Sequence, residues 1–225
     1  MTAIVLASGG LDSTVTATLA SVENRIAMLH VRYGQRTQER EYRAFLDVAD
    51  HLGVTLEDRL VVDIGYLTKI GGSALTDQTI DIPVGDSLRN DEIPSTYVPQ
   101  RNGNLLFIAA AWADVIGAES IWTGMVEEDS SGYPDCREGF VRAMEQAIAL
   151  GNDDANPDPR IVTPLIHKRK SEIVCMGLEI GAPLHLTWSC YSESDRACGE
   201  CDSCRLRLRG FEKAGIDDPI PYAHR

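Results

Sequence analysis

Short apolar runs alternate along this chain with longer stretches whose apolar residues recur at helical spacing. The runs at residues 3–7, 26–32, 56–63, 120–124 and 160–163 predict strands, and the periodic stretches 12–22, 38–52, 103–116, 137–150, 168–180 and 204–214 predict helices. Strand and helix in regular alternation predict an α/β fold, a parallel sheet with helices on both faces. Two stretches break the pattern. Residues 71–99 are rich in Gly, Asp, Ser and Pro, and a segment that long in a compact domain is expected to cover a functional site. Residues 151–159 form a second polar loop, and no internal repeat or low-complexity tract is visible.

The first predicted strand runs directly into Ser8-Gly9-Gly10-Leu11-Asp12-Ser13, which opens the first predicted helix. Strand, small-residue loop and helix place a phosphate at a helix N-terminus, where the first amides lack intrahelical partners and the dipole is positive. Gly9 and Gly10 allow close backbone approach, and Ser8 and Ser13 add hydroxyl donors. Asp12 does not suit a bare phosphate; it suits Mg2+ or a helix cap. No Lys follows Gly10, so the loop is not a Walker A, and the dinucleotide spacing G-x-G-x-x-G is absent. The loop resembles the pyrophosphate-binding loop of enzymes that cleave ATP to AMP and pyrophosphate. In a parallel sheet, ligands bind beyond the strand C-termini, which is where this loop falls.

A length of 225 residues suits one large α/β domain with a small appendage. The net charge of −13 repels nucleic-acid phosphates, so no nucleic-acid partner is expected. No apolar run has the length of a membrane span and no basic-then-apolar leader is visible, so the expected location is cytoplasmic. Six cysteines in such a chain point to metal or catalysis before disulfides. Cys190, Cys198, Cys201 and Cys204 are separated by seven, two and two residues, a spacing that suits a closed tetrahedral Zn2+ site with a structural role. An iron–sulfur cluster is the alternative, although a ferredoxin-type run continues to a fourth Cys followed by Pro, whereas Arg205 and Leu206 follow Cys204 here and the fourth cysteine lies upstream. Of the other two, Cys175 is expected in the core and Cys136 is left open.

Loop and cysteine cluster together, with the segments between them, resemble the 7-cyano-7-deazaguanine synthase family of the ATP-pyrophosphatase (PP-loop) superfamily. The resemblance runs nearly end to end. It includes Tyr33-Gly34-Gln35-Arg36, Ser73-Ala74-Leu75-Thr76, Tyr97-Val98-Pro99 with Arg101-Asn102, and Ser131-Gly132-Tyr133-Pro134-Asp135-Cys136-Arg137. It continues through Pro164-Leu165, Lys170 and Glu172 to Thr187-Trp188-Ser189-Cys190-Tyr191 and the final three cysteines. The superfamily loop is broad, whereas the Gly-Tyr-Pro-Asp-Cys-Arg stretch and the tail are narrow.

The resemblance implies a Rossmann-like sheet of the adenine nucleotide alpha hydrolase type over residues 1–186, with a zinc-binding appendage over 187–225. It implies a C–N ligase, acting in queuosine or archaeosine precursor synthesis, that joins ammonia to 7-carboxy-7-deazaguanine and consumes ATP with Mg2+. A homodimer is also implied. By the same resemblance, Ser8, Gly9, Gly10, Leu11, Asp12 and Ser13 bind the pyrophosphate portion of ATP, and Lys170 either supplies a cation to it or is an ordinary exposed lysine. Arg101 or Arg137 pairs with the acceptor carboxylate or an α-phosphate. Asp129 or Asp135 accepts from the guanine-like N–H edge, or else caps a loop. Tyr133 and Trp188 stack on the base or pack in the core, and for Trp188 packing beside the cysteine tail is the favoured reading. The chain departs from the family's usual pattern at Arg32, Gly103-Asn104, Val126 and Ser130. Those positions surround the expected acceptor site, so a PP-loop adenylating enzyme with another acceptor, a protein amine or a tRNA to be thiolated, stays the alternative.

Overall fold

The computed structural model describes residues 1–84, 93–127, 132–152 and 158–223. Among these residues, strands β1 (Thr2–Leu6), β2 (Arg25–Arg32), β3 (Arg59–Asp63), β4 (Ser120–Thr123) and β5 (Arg160–Val162) form one parallel sheet in the order β3-β2-β1-β4-β5. Helices α1 (Leu11–Glu23), α2 (Gln38–His51), α3 (Tyr66–Ile70), α4 (Arg101–Ile116), α5 (Glu138–Gly151), α6 (Lys170–Glu179) and α7 (Asp202–Lys213) complete the described elements.

β1 is apolar along its length because it is the central strand, with Ile4 in register with Ala27 on one side and Ile121 on the other. Its alternate residues supply two cores. Ile4, Leu29 and Ile121 pack with Leu106, Ala109 and Val141 from α4 and α5. Val5 and Met28 pack on the opposite face with Ala17, Ala20 and Phe45 from α1 and α2. The expected sheet with helices on both faces is therefore present. A third cluster joins Leu11 and Val15 of α1 to Ile173 and Val174 of α6 and Phe211 of α7.

The strand order turns back at β1. The chain moves outward from β1 through β2 to β3, then returns to place β4 and β5 on the other side. The connections leaving β1 and β4 diverge at this switch point, so a crevice opens beyond their C-terminal ends.

Two expectations are corrected and one element is added. Residues 56–58 form a 3-10 turn and only Arg59–Asp63 is strand. The five-residue α3 lies in a stretch too short to show a helical period. Cys175 is exposed, because α6 turns Ile173, Val174 and Gly177 inward instead. The irregular segment after α3 is anchored rather than loose: the Arg36 guanidinium donates to the carbonyls of Ala74 (2.8 Å), Asp77 (3.0 Å) and Ile80 (2.6 Å).

Candidate active site

The loop between β1 and α1 bends at Gly9, whose φ of +82° is in the left-handed region. A side chain there would also meet α2, since a Cβ would lie 2.7 Å from the Glu41 carbonyl and the Phe45 amide. The loop is tied internally: Gly10 N–H donates to Ser8 Oγ (3.2 Å), Ser8 Oγ lies 3.1 Å from Ser13 Oγ, and Ser13 Oγ donates to the Gly10 carbonyl (3.1 Å). It is also tied to the tail, through Trp188 N–H donating to the Gly9 carbonyl at 2.9 Å. Gly10 is the N-cap of α1 and no side chain caps that terminus, so the capping role considered for Asp12 is not what the structure shows.

Asp12 pairs instead with Lys170, whose Nζ donates to both carboxylate oxygens at 2.8 Å. Lys170 opens α6 and is buried, and the Gly210 backbone of α7 packs against its aliphatic stem. Residues 158 apart in sequence thus meet at the mouth of the loop. Opposite them stands Gly124, directly after β4. A Cβ on it would lie 2.8 Å from the Asp12 carbonyl carbon and the Ser13 amide nitrogen, so only glycine allows this approach.

A cavity of about 290 Å³ extends from this loop beneath the switch point. Ser8, Gly10, Leu11, Asp12, Ser13 and Lys170 line it together with Tyr33, Glu41, Arg101, Asn102, Tyr133, Cys136 and Tyr191. Arg101 begins α4, after Gln100, which takes the uncommon φ of +56° for a residue other than glycine. Its guanidinium lies 5.5 Å from the Tyr33 ring centre and 5.8 Å from that of Tyr133, and donates to the Tyr33 hydroxyl (3.3 Å) and to Asn102 Oδ1 (3.1 Å). An arginine between aromatic rings is a fixed cation with N–H donors to spare for an anionic ligand.

Asn102 joins this wall together. Its side-chain amide donates to the Asp135 carbonyl (3.1 Å) and to Cys136 Sγ (3.2 Å), and its backbone N–H donates to Asp135 Oδ2 (3.0 Å). Asp135 therefore caps the N-terminus of α4 and stands behind the cavity wall, not on it. Burial raises its carboxyl above the ordinary range. Burial likewise pushes the Cys136 thiol up to about 11, which keeps it protonated near neutral pH and not the thiolate a nucleophile requires. The Tyr133 hydroxyl donates to Thr96 Oγ1 (2.9 Å), so the segment 71–99 does reach this site. Arg137 is exposed at the N-cap of α5 and lies outside the cavity wall. Asp129 lies outside the described residues.

Sulfur atoms of Cys190, Cys198, Cys201 and Cys204 lie within 4.8 Å of one another, and those of Cys198 and Cys204 are 3.9 Å apart. Tetrahedral Zn–S bonds near 2.3 Å require sulfurs about 3.8 Å apart, so the donor set fits a single ion. Backbone N–H groups of Ser192, Glu193 and Cys198 point at Cys190 Sγ, and those of Glu200 and Cys201 at Cys198 Sγ, the arrangement that supports thiolate charge. The cluster packs against Trp188 and Ala44. Trp188 is buried there as expected, under the Arg40 guanidinium at 4.3 Å.

Sequence reading passed over Glu41, Gly124, Ser189 and Tyr191 as site residues. Gly124 carried a usable signal, being a glycine directly after a strand at the switch point. Glu41 carried none, because it sits among other charges on a helix with a marked polar face.

Fold and site together define an α/β protein with a ligand cavity at the switch point of its sheet, lined on one side by a tail whose four cysteines could hold a metal ion. The sequence profile of the family described as queuosine biosynthesis protein QueC matches residues 2–215, and the chain belongs to that family. The 7-cyano-7-deazaguanine synthase of Koribacter versatilis is 55% identical over 226 residues, spanning 99% of this chain and 94% of that protein. That of Nautilia profundicola is 51% identical over 226 residues, spanning 99% of each. Among solved structures, a predicted tRNA methyltransferase subunit from Methanocaldococcus jannaschii aligns at 12% identity with a TM-score of 0.46 over 100% of this chain and 94% of that one, too loose a likeness to carry a functional argument.

Proposed function

We propose that this protein is a 7-cyano-7-deazaguanine synthase, an ATP-dependent ligase that converts 7-carboxy-7-deazaguanine and ammonia to the nitrile. The observation that carries this reading is that one cavity is lined by two groups of residues: a helix N-terminus without a side-chain cap beside the Asp12–Lys170 pair, and the Arg101 cation beside Tyr33 and Tyr133. One suits a nucleotide phosphate chain and the other a flat anionic acceptor. The curated relatives carry the same activity in their names.

A carboxylate has no usable leaving group, so it must be activated. Its oxygen attacks the α-phosphorus of ATP and pyrophosphate leaves. Ammonia then attacks the acyl carbon, AMP leaves, and loss of a proton gives the amide. In a second round the amide oxygen attacks another α-phosphorus and pyrophosphate leaves again. Loss of the remaining N–H protons and of AMP gives the nitrile. The protein's part is positioning and charge stabilisation. Gly10 to Ser13 at the α1 N-terminus hold the departing pyrophosphate, and Lys170 turns from Asp12 to the phosphates as ATP enters. Asp12 is then the carboxylate available to Mg2+, whose role is to neutralise phosphate charge. Arg101 holds the acceptor carboxylate; the exposed position of Arg137 favours Arg101 for this role. The four-cysteine site holds Zn2+ and has a structural role. An apolar face on α4, with Phe107 and Val115 exposed and Tyr66 of α3 hydrogen-bonded to Asn104 beside it, supports the homodimer.

Mass spectrometry of the purified protein with MgATP, ammonium and 7-carboxy-7-deazaguanine tests the proposal. Nitrile together with AMP is the expected result. AMP without nitrile would move the assignment to another acceptor, and neither product from a folded, zinc-loaded sample would overturn it.

A further inference from the structure

Two carboxylates line the cavity among the described residues, those of Asp12 and Glu41. Asp12 is engaged by Lys170, and Asp135 is turned to the α4 terminus. Glu41 has no assigned task, yet its side chain is held with care. Gln35 Nε2 donates to its Oε2 at 2.9 Å, and the Thr37 hydroxyl donates to its Oε1 at 2.9 Å while shared with the Cys190 carbonyl at 3.2 Å. Gln35 is itself oriented, because its Oε1 accepts from the Tyr33 N–H at 3.0 Å. The Tyr33-Gly34-Gln35-Arg36-Thr37 turn is thus a mount for this carboxylate.

Its donors are a neutral amide and a neutral hydroxyl. They occupy two of the roughly four acceptor positions that a carboxylate offers. Burial raises the Glu41 carboxyl, with those hydrogen bonds and the charge of Arg101 opposing. Two N–H donors arriving together would satisfy the remaining positions. A guanine-type base presents such a pair in its ring N–H and exocyclic amino group. Adenine presents an amino group beside a ring nitrogen that is itself an acceptor, and a carboxylate repels that nitrogen. Resting on the synthase reading, the acceptor is a rigid bicycle with a carboxylate on one ring and this N–H edge on the other. Arg101 and Glu41 line the same cavity with opposite charge, the one suited to the carboxylate and the other to the N–H edge. We propose that Glu41 is the residue that reads the guanine-type N–H edge of the acceptor.

The test is Glu41→Gln in the full-length, zinc-loaded protein, with KM measured separately for acceptor and for ATP. A charge-assisted pair of hydrogen bonds lost at the base edge is expected to raise the acceptor KM about 10- to 100-fold, with the ATP KM within about threefold of the parent. Glu41→Asp, which keeps the charge but withdraws it, is expected to raise the same KM and serves if Glu41→Gln does not fold. An acceptor lacking the exocyclic amino group adds a second arm: the parent protein should lose about tenfold or more with it, and Glu41→Gln should lose little further. An unchanged acceptor KM, a rise in the ATP KM instead, or an equal penalty for the amino-less acceptor in both proteins would overturn the inference. Absence of nitrile with the parent protein overturns the synthase reading on which it rests; nitrile formation with an unmoved acceptor KM overturns only the role of Glu41.

Discussion

At the scale of single residues, the Asp12–Lys170 pair and the loop glycines define what the site can hold. Asp12→Ala and Lys170→Met each remove one charge from the loop that, under the proposed function, holds the phosphates of ATP. Both are expected to slow AMP formation at least about 100-fold while leaving one zinc per chain, checked by quenched-flow product analysis beside metal quantitation. Retained turnover would remove these residues from the phosphate site. A second residue shows a different kind of constraint. His30 is buried beneath the loop with Nδ1 2.9 Å from the Ala7 carbonyl, its ring stacked on Phe45 at 4.9 Å, and burial lowers its pKa to about 4. The unfolded chain binds this proton from about pH 6.5 downward, before the folded one does, so stability falls as pH drops from about 6.5 to about 4. The loss expected from that shift is on the order of 3 kcal/mol, and urea denaturation at pH 7 and 4.5 should show a large part of it. His30→Phe should flatten that slope; an unchanged slope would assign it to other groups. The six-residue loop was legible in the sequence because its chemistry is local. The burial of Lys170 was not, since nothing in sequence separates a buried lysine from a solvated one.

At the scale of elements, helix termini do most of the site-building. α1 presents an open N-terminus, α4 delivers Arg101 and Asn102, and α6 delivers Lys170. Each boundary falls within two residues of its sequence-predicted position, because amphipathic period and turn residues mark it. The caps were hidden: α4 is capped by Asp135, 33 residues away from Asn102, and α6 by Glu172, which accepts from the Arg169 N–H at 2.7 Å. α7 depends on a buried ion pair. Arg207 Nε and Nη2 donate to the two Asp218 oxygens at 2.7 and 2.9 Å, and Nη1 donates to Thr187 Oγ1 at 2.7 Å. Removing one partner leaves the other charge buried and uncompensated, so Arg207→Ala is expected to cost about 3–5 kcal/mol by chemical denaturation. A change under about 1 kcal/mol would show that solvent or a neighbour rescues Asp218.

At the scale of the whole molecule, the cysteine tail and the sheet are not independent parts of the site. The Cys190 carbonyl accepts from Thr37, Trp188 N–H reaches the Gly9 carbonyl, and Ser189 and Tyr191 line the cavity. Stripping the proposed Zn2+ with a chelator is therefore expected to expose four additional titratable thiols, lower the melting temperature, and weaken binding of a non-hydrolysable ATP analogue by more than tenfold, measured by thiol titration, calorimetry and fluorescence. Unaltered ATP-analogue affinity in the stripped, folded protein would confine the metal to the tail. The alternating strands and helices, the glycine-rich loop between β1 and α1, the cluster of four cysteines and the family resemblance were all readable in the chain, because periodicity, turn chemistry and cysteine spacing are properties of neighbouring residues. Which groups share the cavity was not. Lys170 meets Asp12, Gly124 meets the α1 terminus, Glu41 faces inward while Asp135 and Cys175 do not, and each of these follows from strand order and helix rotation, which place residues from distant segments side by side and leave no mark on local pattern.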